Sequence, residues 1–277
     1  MAWDMSGLLV ELFARSWDAI KNARAPFNSE EFVKAYSEAM SDATDLAEVI
    51  SQLGPEELEQ TSRTILQAIS IVVRAYHGKR NVKINANYMT PEPGSKQLLE
   101  SASFADRRRN PDSFKCFLIL RQWASNHGVL PDIILPVDGG TGKVDVTLLG
   151  APDAYLHNRQ YLIWNTRRIN KHLKKIESSE LRAEIKAYFD RHSSELRSFV
   201  TWPLEAPKGI AGLEPNQVIA VVNVNSDQKG VIGRFQGNQR KLYLALVPLL
   251  NLLSKLIVRM HYQSAGIAQS PSAESGS

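Results

Sequence analysis

Cysteine is almost absent from this sequence of 277 residues, because Cys116 is the only one. A single cysteine cannot form an internal disulfide, and its isolation excludes a cysteine-rich zinc site. Since disulfides form in oxidising compartments, the sequence favours a reducing, cytoplasmic setting. The N-terminus also lacks a basic leader followed by a small-residue cleavage site, so we expect no signal peptide.

An uninterrupted apolar run of about 20 residues, which a membrane-spanning helix needs, is also absent. The most apolar segment covers 242–258, but Pro248, Asn251 and Lys255 interrupt it. This segment predicts a buried or interface helix, and we expect no membrane span. Residues 263–277 are rich in Ser, Ala and Gly, which bury too little apolar surface to offset the entropy of ordering. We therefore predict a disordered tail there.

Motifs for catalysis or metal binding are missing. The glycine-rich segment 139–144 does not match a phosphate loop. Such a loop would need a glycine at position 137 and a magnesium-binding Ser or Thr at position 144, and this sequence has Val137 and Val144 there. Ser226 and Lys229 match the Ser-x-x-Lys spacing of some acyl-transfer enzymes, but the accompanying motifs of those enzymes are absent. No histidine belongs to a His-Glu-x-x-His pair. We expect no catalytic residue and no metal site.

The composition, 43% hydrophobic and 22% charged, is typical of a globular chain, but its charge is uneven. The formal net charge is +4, yet residues 1–54 carry four Lys and Arg against nine Asp and Glu. The basic clusters of the remainder, at 107–109, 167–168 and 171–175, form no continuous stripe. This pattern favours a solvated surface or a site for a small anionic ligand, and we do not expect nucleic-acid binding.

Apolar periodicity predicts three helices before residue 78. The first covers 5–23. The second begins at a cap formed by Asn28 or Ser29 and runs to about residue 53, and the third covers 55–77. Because the first two helices combine an apolar stripe with the acidic charge, we predict that the segment 5–53 docks a partner protein.

The third helix and the closing helix, 238–262, carry apolar residues at alternating steps of four and three. Such a narrow seam suits pairing with another helix. Two interpretations remain open: both helices pack on the sheet of their own domain, or helices 55–77 and 238–262 join two copies in a homodimer. The seams consist of Leu58, Ser62, Ile65, Ile69, Val72 and Tyr76, and of Leu242, Leu246, Leu249, Leu253, Leu256 and Met260.

Between these helices the apolar period changes to two, which is typical of strands. The last two predicted strands are close enough along the chain to form an antiparallel pair. The predicted fold class is α+β, with a mostly antiparallel sheet and helices on one side. Strands are predicted at 82–88, 114–123, 133–137, 144–149, 198–204 and 218–224, and helical segments at 167–177 and 179–197.

Three elements near the C-terminus follow one another in a recognisable order. The strand 198–204 ends in apolar–Pro–apolar, the segment 218–227 ends in an Asn/Ser/Asp turn, and a leucine-rich helix comes next. This order resembles that of the C-terminal half of GAF domains. Upstream, 148–152 and 161–165 resemble the family's middle section, in which a small-residue turn precedes a short segment over the ligand pocket.

The resemblance implies a GAF-like antiparallel sheet flanked by helices over 55–262, with residues 1–54 as an acidic helical extension. The sequence lacks the characteristic residues of three functional classes of that family. The cyclic-nucleotide motif is not visible, no Cys-His dipeptide marks a bilin attachment point, and the three cysteines of GAF-type methionine sulfoxide reductases are missing. The resemblance thus implies a small-molecule or interaction module, and it identifies neither ligand nor cofactor.

In GAF domains the ligand lies between one face of the sheet and the segment before the penultimate strand. Such pockets are mostly apolar, with a few polar or aromatic groups that orient the ligand. Because a shift of one residue in strand phase turns a side chain to the other face, only part of the candidate set is expected to face the pocket. The candidates are Arg121, Trp123, Asp145, Tyr155, Asn158, Trp164, Asn165, Trp202 and Asn223.

The sequence therefore predicts a cytoplasmic sensor or regulatory module that binds a small ligand, with an anion as one candidate, and signals to a partner protein through its terminal helices. The alternative is a ligand-free scaffold that only dimerises or binds protein. An enzyme with an unrecognised site is a third class, and the absence of a convergent nucleophile and base argues against it.

Overall fold

The computed structural model describes residues 29–78, 81–107, 109–124, 133–138, 148–174, 176, 178–208, 210, 212–214, 216–230 and 236–264. The helix predicted over 5–23 lies outside the described residues, as does most of the strand predicted over 144–149. All but two residues of the tail predicted over 263–277 lie outside them as well.

The described helices and strands include the predicted ones that fall on described residues, in the predicted order, together with short helices at Lys96–Ser101 and Ala151–His157 and a short strand at Tyr161–Ile163 that were not predicted. The helices are α1 (Glu30–Val49), α2 (Pro55–His77), α3 (Lys96–Ser101), α4 (Ala151–His157), α5 (Asn170–Leu173), α6 (Ser179–Arg191) and α7 (Gln236–Ser264). The strands are β1 (Ile84–Glu92), β2 (Phe114–Trp123), β3 (Ile134–Asp138), β4 (Tyr161–Ile163), β5 (Ser198–Glu205) and β6 (Val218–Ser226). Short 3-10 turns lie at Ile50–Gln52, Pro111–Ser113 and Thr166–Arg168.

The described strands form one antiparallel sheet in the order β3-β2-β1-β6-β5-β4. The predicted antiparallel pairing of 198–204 with 218–224 is confirmed, with Thr201 directly opposite Asn223. The central pair is β1 and β6, which lie far apart along the chain. The α+β class, an antiparallel sheet flanked by helices, is therefore confirmed.

One face of the sheet is covered by α1, α2 and α7, which we call the helix layer. Their apolar side chains and those of β1, β5 and β6 form the largest core cluster. The seam residues of α2 are buried there, as are those of α7 up to Leu256, while Met260 is half-buried. The two seams thus pack within a single chain, as in the first of the two interpretations above.

Local sequence signals set the starts of the first two described helices. Ser29 Oγ accepts from the backbone N–H of Phe32 at 3.2 Å and caps α1. Before α2, the backbone N–H of Gly54 donates to Glu57 Oε2 at 2.7 Å, and Pro55 occupies the first helical position. The predicted starts of both helices are therefore confirmed.

The predicted extension, 1–54, contributes to the same core from residue 30 onward. Phe32 of α1 is fully buried and lies edge-on to Tyr76 of α2, with ring centroids 6.4 Å apart. Arg259 near the end of α7 donates to the backbone oxygen of Leu53 at 3.0 Å. The apolar stripe of α1 is therefore covered by this chain's own helices.

The opposite face of the sheet, which we call the α4 face, also carries helices. Ala151 and Ala154 of α4 pack with Met89, Leu118 and Val221 of the sheet. The expectation that the helices lie on one side of the sheet is therefore wrong. A helix of seven residues that packs through alanines is too short and too weakly apolar to produce a periodic signal.

The segment Gln239–Met260 of α7 is the one described segment long and apolar enough to cross a membrane, judged by length and composition alone. Of its most apolar window, 67% is buried inside the chain. Its apolar side chains belong to the core of the helix layer, in agreement with the buried helix predicted over 242–258.

Candidate ligand-binding site

Four side chains lie in one line across the α4 face. Thr201 on β5, Asn223 on β6, Asn87 on β1 and Trp123 on β2 stand directly opposite one another in the register of neighbouring strands. Their neighbours along the strands, such as Val222, pack into the helix layer, so strand alternation turns all four to the α4 face. We call these four residues the cross-strand row.

Hydrogen bonds join three members of the cross-strand row. Thr201 is fully buried, and its Oγ1 donates to Asn223 Oδ1 at 2.7 Å. Asn223 Nδ2 in turn donates to Asn87 Oδ1 at 2.8 Å. No described residue accepts from Asn87 Nδ2. Both N–H groups of that amide are therefore open to a ligand or to water.

Two buried polar atoms beside these bonds have no hydrogen-bond partner within the described part of the chain. They are Trp123 Nε1, a donor, and Asn225 Oδ1, an acceptor. Asn225 lies two residues after Asn223 and opposite Phe199, so it faces the same side. An unpartnered buried polar group costs about 1–3 kcal/mol, and native proteins usually satisfy such groups. This part of the α4 face is therefore the strongest candidate for a ligand site.

Apolar clusters border the cross-strand row at both ends of the strands. On one side, α4 packs over Met89 and Val221. On the other, Ile163 and Phe199 pack with residues of α5 and α6, and the ring of Phe189 stacks on Phe199 with centroids 5.9 Å apart. A polar floor between apolar walls is the usual lining of a small-molecule site.

Gly150 holds the start of α4 close to the cross-strand row. Its φ of +85° lies in the left-handed region, and a Cβ there would stand 3.0 Å from Phe199 Cε2 and 4.0 Å from Thr201 Oγ1. Both the backbone conformation and the close packing therefore favour glycine. As a result, α4 begins directly over the Thr201 end of the row.

Two of the predicted site residues, Trp123 and Asn223, belong to the cross-strand row. Two more lie on or at the end of the helix that borders it. Tyr155 is half-buried on α4. Asn158 ends α4 in the left-handed conformation and donates to Glu205 Oε1 at 2.7 Å. Asparagine tolerates that conformation better than most residues, which suits it to this position.

The structure places Trp202 and Arg121 away from the row. Trp202 is only 1% exposed and packs in the helix layer, 6.1 Å from the ring of Tyr243, because its strand phase is opposite to the one expected. Arg121 is the extra residue of a bulge in β2, and its Nε donates to Thr90 Oγ1 at 2.7 Å. Trp202 is a core residue, and Arg121 braces β1.

The remaining candidates do not contribute to the row either. Trp164 and Asn165 follow β4 and line a separate cavity at the edge of the sheet. Asp145 lies outside the described residues.

The sequence analysis missed Asn87, Thr201 and Asn225. A signal was present, because asparagines at 85 and 87 and at 223 and 225 alternate with buried apolar residues along β1 and β6. The two pairs meet, with Asn87 opposite Asn223 and Asn85 opposite Asn225. Their meeting was hidden because 136 residues separate Asn87 from Asn223.

Cys116 of β2 is buried on the α4 face, beside Tyr155. Burial raises the pKa of its thiol to about 11, so the nucleophilic thiolate is scarce at neutral pH. Among the described His, Cys, Asp and Glu side chains, no group of three could hold a metal ion.

Neither a family model nor a curated protein matches the chain. Similar solved structures include fRMsr of Staphylococcus aureus in complex with substrate, with 10% identity, 74% of this chain and 95% of that chain covered, and a TM-score of 0.34. The GAF domain region of a protein from Geobacter sulfurreducens has 17% identity and a TM-score of 0.32, and the match covers 76% of this chain and 99% of that chain. A methyl-accepting chemotaxis protein, residues 122 to 287, has 13% identity and a TM-score of 0.37, and the match covers 76% of this chain and 98% of that chain.

A GAF domain is thus among the solved structures that resemble this chain, as the sequence predicted. At these identities and TM-scores the likeness identifies neither a family nor a ligand for this chain.

Proposed function

We propose that this chain is a GAF-like sensor or regulatory module that binds a small polar molecule over the cross-strand row. The observation that carries the proposal is the pair of buried, unpartnered atoms, Trp123 Nε1 and Asn225 Oδ1, beside the bonded amides of Asn223 and Asn87. A ligand that offers an acceptor to the indole and a donor to the amide oxygen would satisfy both atoms.

The proposed ligand is neutral. The cross-strand row and the flanking Asn85 and Asn225 carry no charged side chain, so nothing described on this floor would compensate a buried charge. The two N–H groups of Asn87 add donors for a carbonyl or hydroxyl oxygen. The walls at Val221 and Phe199 would cover a ring or an alkyl portion of the ligand.

The proposed role is binding rather than catalysis. Cys116 is the strongest potential nucleophile on the α4 face, and burial keeps its thiol protonated at neutral pH. The other groups of the floor are amides, a hydroxyl and an indole, which bind and orient without transferring a proton readily.

A route from the ligand site to the helix layer passes through Glu205 at the end of β5. Asn158, at the end of α4, donates to Glu205 Oε1 at 2.7 Å, and Ser254 Oγ of α7 donates to the backbone oxygen of Glu205 at 2.7 Å. A ligand that moves α4 would therefore act on α7 through two hydrogen bonds. In this mechanism the ligand binds one arrangement of α7 better than another and shifts their populations.

The output in this proposal passes to a protein partner in the cytoplasm. The charged outer side of α1, within the acidic segment 1–54, is the surface that we assign to that partner. Ile71 of α2 and Leu244 of α7 are exposed apolar side chains of the helix layer. Because the seams of 55–77 and 238–262 are buried, a homodimer through these helices would use their exposed side chains.

Native mass spectrometry of the protein purified from its own host tests the proposal. We expect a bound molecule in the wild type and in Trp202→Phe, and its loss in Trp123→Phe. Both variants remove one buried, unpartnered indole N–H and keep an aromatic ring, but only Trp123 faces the proposed site. Wild-type protein without a bound molecule would contradict ligand sensing and favour the scaffold alternative.

A further inference from the structure

A cavity separate from the cross-strand row lies at the β4 edge of the sheet, and we call it the edge cavity. It has a volume of about 370 Å³. Leu162 of β4 packs with the helix-layer cluster, so the cavity opens on the side of the sheet away from the row. Its walls are Leu162, Trp164, Asn165, Arg168, Lys229 and Gln239.

We propose that the edge cavity binds a phosphomonoester dianion, with the phosphate between Arg168 and Lys229. These two cations belong to different segments, the 3-10 turn after β4 and the turn after β6. The described lining contains no acidic side chain, and neither cation forms an ion pair with any described residue. Two uncompensated positive charges at one cavity favour an anionic occupant.

A second basic cavity, of about 570 Å³ along α5 and α6, provides a contrast. Its lining includes three cations, of which Arg182 and Lys186 are already engaged, while Lys174 forms no ion pair with a described residue. Arg182 Nη1 donates to a backbone oxygen at 2.5 Å, and Lys186 pairs with Asp190. The edge cavity differs because no described residue engages either of its cations.

The segments that form the edge cavity are anchored. The indole of Trp164 lies so close to Gly230 that a Cβ on that glycine would stand 2.3 Å from the ring, and Gly230 N donates to the backbone oxygen of Trp164 at 3.0 Å. On the other side of Lys229, the backbone oxygen of Gln228 accepts from Ser198 Oγ at 2.6 Å. The turn that carries Lys229 is therefore held before any ligand arrives, which lowers the entropic cost of binding.

The composition of the walls indicates the class of ligand. Two cations match the double negative charge of a phosphomonoester near neutral pH, and the guanidinium fork of Arg168 suits bidentate contact with phosphate oxygens. Trp164 and Leu162 add an apolar wall that inorganic phosphate would leave uncovered. The volume lies near the lower end of the range for small-molecule sites, so the organic portion must be small.

The edge cavity also touches the helix layer. Gln239 in α7 lines it together with residues of the β4 edge, so an occupant would contact both elements. This site would therefore act on α7 independently of the proposed ligand over the cross-strand row.

Isothermal titration calorimetry of the full chain with phenyl phosphate tests the proposal. Phenyl phosphate provides a dianionic phosphate and a planar apolar group, whereas phenyl sulfate has the same shape with one negative charge. We expect phenyl phosphate to bind at least about tenfold more tightly than phenyl sulfate, since each charge-assisted contact accounts for about tenfold or more in affinity. We also expect it to bind more tightly than inorganic phosphate, which leaves the apolar wall uncovered. Equal affinities for the three compounds would overturn the proposal.

Matched charge variants locate the site. We expect Arg168→Gln and Lys229→Gln each to weaken phenyl phosphate binding by about tenfold or more. Arg167→Gln and Lys171→Gln remove the same charge from neighbouring positions that do not line the cavity, and we expect them to change affinity by less than about twofold. Equal losses in the two sets would indicate diffuse electrostatic attraction and contradict the assignment.

Discussion

The side-chain amide of Asn223 donates to the side-chain oxygen of Asn87 at 2.8 Å, across the two central strands of the sheet. Because Asn223 also accepts from the buried hydroxyl of Thr201, its amide is held from both sides. Such a fixed network orients the amide N–H groups of Asn87, from which no described residue accepts. The floor of the proposed site is therefore organised before a ligand binds.

Replacing Asn223 with alanine tests this network through stability. The variant leaves the buried Thr201 Oγ1 without its acceptor and Asn87 Oδ1 without its donor, so we expect the free energy of unfolding to fall by about 1–3 kcal/mol. Urea denaturation measures the change. Asn85→Ala is the control, because Asn85 faces the same side and its side chain forms no hydrogen bond to a described residue. Equal losses in the two variants would contradict a bonded network.

Local patterns in the sequence were sufficient for most of the secondary structure. The cap at Ser29 and the proline at 55 predicted the starts of α1 and α2, and the apolar run 114–123 gave the bounds of β2. These signals are local because capping bonds and strand periodicity involve residues only a few positions apart. The short helix α4 was not predicted, because the side chains by which it contacts the sheet are small.

The site was predicted only in part, because its assembly depends on contacts between distant segments. Asn223 and Trp123 were among the candidates, but Asn87 was not, since its pairing with Asn223 is not encoded in any local pattern. Trp202 was among the candidate site residues, but it is the adjacent residue, Thr201, whose side chain faces the cross-strand row. The polar residues Ser198 and Thr201 of β5 are three positions apart and so have opposite strand phases, which gives no alternation from which to read the two faces.

Replacing Gly150 with alanine should weaken the junction between α4 and the sheet. The left-handed backbone and the 3.0 Å approach to Phe199 both oppose a side chain, so we expect a loss of about 1–3 kcal/mol in the free energy of unfolding. Gly54→Ala is the matched control, because its φ is −77° and its nearest Cβ contact is an ordinary 3.6 Å. A loss in Gly150→Ala no larger than in the control would contradict the described turn.

Cys116 should give the stability a pH dependence at alkaline pH. Burial raises the pKa of its thiol from 9.0 to about 11 in the folded chain. Below pH 9 both states hold the proton, and between pH 9 and 11 the unfolded chain releases it first, so the free energy of unfolding falls as the pH rises. We expect the wild type to lose on the order of 2 kcal/mol more than Cys116→Ala across this window. Chemical denaturation at a series of pH values measures this difference. If the free energy of unfolding fell equally with pH in the wild type and in Cys116→Ala, a raised pKa of the Cys116 thiol would be excluded.

Ser254 should couple the helix layer to the edge of the proposed ligand site. Its hydroxyl donates to the backbone oxygen of Glu205 on β5, whereas the equally buried Ser70 donates to Leu66 within its own helix. We expect Ser254→Ala to lower the free energy of unfolding by about 1–2 kcal/mol, and Ser70→Ala to cost less, because only the first bond joins two elements.

Hydrogen exchange distinguishes this coupling from a general loss of stability. With Ser254→Ala we expect faster amide exchange at the end of β5 and in α4, since Asn158 of α4 is bonded to the side chain of Glu205. Ser70→Ala should leave exchange in α4 unchanged. If Ser254→Ala accelerated exchange in α7 but not in α4, the two hydrogen bonds at Glu205 would not transmit a change between the faces of the sheet, and the signalling route would have to pass elsewhere.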